Sequence, residues 1–162
     1  MAADPALDEA RLRLGRLLWR LGEAELARAS LEAMLAPRDP PLSNARGESG
    51  PSSSFATLER SRDRYLAHLF LGRVYEDARR LEEAKREYRA TLEIEPQAQA
   101  AAVALGHVLQ MAGDTGPARQ ALEQSLRHAG RRTHGDPYWG YLLGSVDRAE
   151  ALFDELRRET LR

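Results

Sequence analysis

Residues 71–96 read LGRVYEDARRLEEAKREYRATLEIEP. Leu71-Gly72 is followed three residues later by Tyr75, then by Ala84, Tyr88 and Pro96. The same order returns downstream as Leu105-Gly106, Leu109, Ala118 and Leu122, and upstream as Leu14-Gly15, Leu18, Ala27 and Leu31. Glycine to alanine is 12 residues in every copy. Gly72 to Gly106 is 34 residues, and so is Ala84 to Ala118. Gly15 to Gly72 is 57, an excess of 23 over that period. Small residues at these places let two helices of a hairpin approach closely, while larger ones fill the gap to the next hairpin. No such hairpin buries both faces alone, so neighbours stack.

Helical spacing of apolar residues runs through the rest of the chain. Asp4 and Pro5 suit a helix entry, and Leu14, Leu17, Leu18 and Leu21 follow before Gly22. A second helix is expected over 23–35, ended by Pro37. Further helices are expected over 57–78, 81–94, 98–111, 116–128 and 146–161, and no segment alternates as a strand does. Residues 37–57 differ, with Pro37, Pro40, Pro41, Pro51, Gly47, Gly50 and five serines. They read as a flexible insertion between hairpins, at the place where the 23 extra residues fall. The insertion reads as a passive excursion; the other reading is a cover over the groove or a phosphorylatable Ser52-Ser53-Ser54 run.

The three copies resemble the tetratricopeptide repeat family: Leu-Gly, an aromatic, then alanine, a second aromatic and a closing proline. The likeness covers roughly residues 8–132 less the insertion. The departures are Leu18 and Leu109 for the first aromatic, Leu31 and Leu122 for the second, and Gly130 for the proline. His68 and Ala102 stand at the usual tryptophan place. The resemblance implies an all-α fold, a right-handed α-solenoid of helix-turn-helix repeats in a single domain, 1–162. Its repeats would cover about 8–39, 65–98 and 99–132, with a degenerate C-terminal cap over 137–162. Tyr138, Trp139 and Tyr141 would seal the end of the core.

The resemblance also implies a scaffold or adaptor that binds a partner in a concave groove lined by the first helix of each hairpin. The groove residues would be Leu12, Arg16, Trp19 and Arg20; Leu66, Leu69, Arg73 and Glu76; and Val103, His107 and Gln110. Apolar anchors beside arginines suit a protein or peptide segment with large apolar side chains flanked by acid. Two bland readings stand beside this. Leu66, Leu69 and Val103 can belong to the core with the arginines as a solvated face, and Trp19 can pack on the neighbouring hairpin. One subclass of the family clamps the C-terminal carboxylate of chaperones with polar side chains. Leu12 and Phe70 occupy those places, which argues against that partner. The alternative function is a structural or self-assembly module, with homo-oligomers formed through exposed ends of the array, or a non-catalytic domain of a larger protein.

Composition narrows the field further. The net charge is −1, with 43% hydrophobic and 30% charged residues, so no global field recruits nucleic acid. Lys85 is the sole lysine among 24 basic residues, a bias of GC-rich, bacterial-type coding. With no cysteine there is no disulfide, thiolate nucleophile or zinc–thiolate site. No stretch is apolar enough for membrane insertion, and the opening residues do not read as a signal peptide. These features point to a soluble, cytoplasmic chain. His68, His107, His128 and His134 form no metal-binding pair, and phosphate-binding loops, dinucleotide motifs and nucleophile elbows are missing. The expectation is no enzyme, no cofactor, no metal and no catalytic residue.

Overall fold

Leucine, alanine, glutamate and arginine dominate the repeated segments, and these side chains lose little freedom in a helix. In the computed structural model, described over residues 5–36, 52–129 and 136–138, they form α1 (Pro5–Arg20), α2 (Ala24–Leu35), α3 (Ser52–Asp77), α4 (Leu81–Ile94), α5 (Gln99–Met111) and α6 (Thr115–Ala129). No strand occurs among the described residues.

Three turns with the same hydrogen bonding fold the helices into hairpins. Gly22, Arg79 and Gly113 take left-handed backbone, with φ of 82°, 60° and 88°. After each, the next N–H reaches back to the carbonyl five residues earlier: Glu23 to Leu18, Arg80 to Tyr75 and Asp114 to Leu109, each at 2.9 Å. The N–H groups of Gly22, Arg79 and Gly113 bond the carbonyls of Trp19, Glu76 and Gln110. This doubly bonded reversal satisfies carbonyls that a helix end leaves unpaired.

Inside each hairpin the glycine faces the large residue sixteen positions on. Gly15 meets Leu31, Gly72 meets Tyr88 and Gly106 meets Leu122. Ala27, Ala84 and Ala118 are buried at the same interfaces. Between hairpins, α2 packs on α3, α4 on α5 and α1 on α3. The Tyr75 hydroxyl donates to Glu32 at 2.8 Å, tying α3 to α2. Lys85 donates to Asp114 at 2.7 Å and to Glu82 at 2.8 Å, tying α4 to the turn before α6. One core runs through all three hairpins, from Leu12 and Leu31 through Tyr65, Leu66, Val74 and Tyr88 to Leu105 and Val108.

The helix bounds match the expected ones within a residue or two, with one exception. α3 begins at Ser52, five residues before the expected Thr57, so the last part of the 37–57 segment is helix. Serines suit a first helical turn, and composition averaged over the whole segment hides this. The remainder of that segment, 37–51, and the expected last helix over 146–161 lie outside the described residues. The expected array ran on into a cap beginning at 137. Pro137 and Tyr138 are helical, and Tyr138 packs against Phe70 of α3. Trp139 and Tyr141 lie outside the described residues.

Candidate partner-binding face

The first helices of the hairpins, α1, α3 and α5, carry every residue expected to line a groove, and burial divides them. Leu12, Leu66 and Leu69 are 1%, 1% and 3% exposed. They are core residues and not groove anchors. Helical spacing alone does not separate the stripe that faces a neighbouring hairpin from the stripe beside it, because both are apolar here. Val103 is 48% exposed, and Gln110 and Arg20 are exposed too.

Trp19 packs on the neighbouring hairpin. Its indole N–H donates to Asp77 Oδ2 at 2.6 Å, and its ring lies 6.2 Å from that of Phe70. The Arg16 guanidinium stands 6.0 Å from the centre of the Phe70 ring, within reach of a cation–π attraction. So α1 and α3 are joined by a small cluster of Arg16, Trp19, Phe70 and Asp77. Phe70 and Asp77 were not among the expected site residues. Phe70 directly precedes Leu71-Gly72, where the sequence reads as core.

A second cluster joins α3 to α5 around Glu76. This carboxylate is 7% exposed. Its Oε2 accepts from the Tyr88 hydroxyl at 2.5 Å, and its Oε1 lies 2.7 Å from His107 Nδ1. Arg73 approaches it more loosely, at 3.8 Å. Burial, reinforced by the bond to Glu76, pushes the Tyr88 phenol well above its ordinary pKa, so the hydroxyl stays a donor. Glu76 is therefore a bridge within the fold and not a groove acid. Arg73 and His107 keep side chains 45% and 56% exposed.

Arg16, Arg73 and His107 each directly follow the repeat's glycine, at Gly15, Gly72 and Gly106. The glycine sits inward against the second helix, and the residue after it is exposed at Arg73 and His107 and half-buried at Arg16. Among the described residues no three histidine, aspartate or glutamate side chains converge as a metal site would need. No described helix is long and apolar enough to cross a membrane.

The sequence of residues 65–97 matches the tetratricopeptide repeat family, a span that opens at Tyr65 within α3 and takes in all of α4. No curated protein matches the chain. Repeats of this family generally mediate protein–protein interaction and are typically non-catalytic. Over residues 65–97 the chain carries a tetratricopeptide repeat.

Proposed function

We propose that the chain is an interaction scaffold that holds a partner protein segment on the face shared by α1, α3 and α5. The recurrence of Arg16, Arg73 and His107 directly after the three structural glycines carries this reading. It sets a row of cationic or protonatable side chains along one face, spaced by the repeat. Arginine grips carboxylates through paired N–H groups, so the fitting partner is an extended or helical segment bearing acids. Val103 and the outer part of Trp19 supply its apolar contact, in place of the buried leucines. A right-handed superhelical sense, a concave groove and a capping unit over 137–162 belong to the same proposal.

An Arg16→Glu/Arg73→Glu double variant tests it in a pull-down read by mass spectrometry. The expected outcome is a protein retained by the wild type and lost from the variant, with circular dichroism showing the variant still helical. Equal retention by both would remove the face from consideration.

One observation favours a second reading, self-assembly. Leu7, Leu14, Leu17 and Leu21 of the first hairpin are all exposed, as is Leu26 on α2. An exposed apolar stripe of this kind marks an interaction surface, and a second copy offers the same stripe in return.

A further inference from the structure

Asp136 returns from beyond α6 to the first-helix face and is 8% exposed there. Its Oδ1 accepts from the Tyr65 hydroxyl at 2.7 Å and from the N–H of Tyr138 at 2.9 Å. Its Oδ2 accepts from the N–H of Ala100 at 2.8 Å. Tyr65 is fully buried. The Ala100 N–H is among the donors at the start of α5 that no intrahelical carbonyl can satisfy. The residue at the cap position, Ala98, offers no side-chain bond. The receiving side is thus a pair of donors from two hairpins, both taken by the Asp136 carboxylate. Two residues after Asp136, the Tyr138 ring meets Phe70 edge-on, with centroids 6.4 Å apart and planes at 67°. This is a favourable aromatic geometry, and Phe70 also packs against Trp19.

We propose that Tyr65, the Ala100 N–H and Phe70 form a recognition site for a segment bearing a carboxylate and, two residues later, an aromatic ring. The chain's own Asp136–Tyr138 fills this site, and a partner segment of the same chemistry enters by displacing it. The proposal rests on the protein-binding reading above and names the partner's chemistry. A carboxylate taken by buried donors plus a ring in an aromatic corner is how a short peptide is read, by one charge-assisted anchor and one apolar anchor. The internal segment is tethered to α6 through residues 130–135, so it competes at an effective concentration in the roughly millimolar range. An incoming segment therefore binds with its affinity reduced by the fraction of time the site stands open.

The test uses the full chain with the site vacated, Asp136→Ala/Tyr138→Ala, and a fluorescent synthetic peptide with the sequence of residues 133–142. Anisotropy should show the peptide binding the vacated chain at least ten-fold more tightly than the wild type. A peptide with alanine for its aspartate should lose that gain, and Tyr65→Phe in the vacated chain should weaken binding several-fold. If circular dichroism shows the double variant unfolded, Asp136→Ala alone, which removes the internal acceptor, takes its place, and the peptide should still bind it more tightly than the wild type. Equal binding to wild type and vacated chain, no binding to either, or indifference to the peptide's carboxylate overturns the proposal and leaves Asp136 a purely structural clasp. Arginine-dependent partner retention alongside such a failure leaves the scaffold reading standing. Peptide binding without it leaves this site and removes the arginine row.

Discussion

A methyl group at Gly72 would stand 2.4 Å from a ring carbon of Tyr88. The ring cannot retreat, because its hydroxyl is held by Glu76 inside the core. At Gly15 and Gly106 the opposing atoms belong to Leu31 and Leu122, at 2.7 Å and 2.9 Å. At Gly15 the contact is to the Cγ of Leu31, which is fully buried, whereas Leu122 is exposed and can shift outward. Gly72→Ala is therefore expected to cost about 1–3 kcal/mol, the range for overpacking a well-filled interior. Gly106→Ala should cost least, since alanine's better helix propensity, roughly 1 kcal/mol, offsets a clash that the exposed Leu122 can relieve, and Gly15→Ala, against the buried Leu31, should fall between the two. Urea denaturation of the three variants checks the order; a Gly72→Ala variant as stable as wild type would contradict the packing. The glycines were legible in the sequence because a close helix approach leaves no other choice of residue. The fate of Leu12, Leu66 and Leu69 was not. A leucine on a helix reports that one side is dry, and which neighbour dries it is set by elements far away in the chain.

The hairpin turns show how one element tolerates a poor residue. Gly22 and Gly113 reach their positive φ at no steric cost, whereas Arg79 takes φ 60° with a side chain in place. A left-handed residue other than glycine costs about 1–2 kcal/mol, and glycine's greater freedom when unfolded returns roughly 0.5–1 kcal/mol of that. Arg79→Gly should then stabilise the chain by about 0.5–1 kcal/mol. Its thermal midpoint is expected to rise by a few degrees, and a fall would mean that the Arg79 side chain contributes more than its backbone costs. The three turns were readable from the repeat period, since Gly22, Arg79 and Gly113 lie 57 and 34 residues apart, as the helix glycines do. The start of α3 was misplaced for the opposite reason. Ser52-Ser53-Ser54 follows a proline and reads locally as loop, while a helix of 26 residues is extended by cooperativity from its packed half.

At the scale of the molecule, the array is asymmetric. The exposed face of α1 carries Leu7, Leu14, Leu17 and Leu21, while the α3–α5 side is furnished with paired charges and the Asp136 clasp. If the leucine stripe receives a second copy, sedimentation should show a mass that rises with concentration, and Leu14→Glu/Leu17→Glu should return it to a monomer. A wild-type monomer at every concentration would leave the stripe to some other neighbour. The repeated hairpins were visible in sequence because each copy restates one local metric. The Asp136 contacts were not, since they join residues 71 and 36 positions apart that no period relates.

Lys85 has a practical corollary. Its amine is 5% exposed between Asp114 and Glu82, and the hydrogen bonds from those two acids, Asp114 foremost, raise its pKa above the ordinary lysine value. Acylating reagents attack an accessible, unprotonated amine, and no other lysine exists to compete. A succinimidyl dye at neutral pH should therefore mark the terminal α-amine, whose pKa is about 8, giving one fluorophore per molecule without engineering. Any label that appears on Lys85 becomes a clock for the opening of the α5–α6 hairpin.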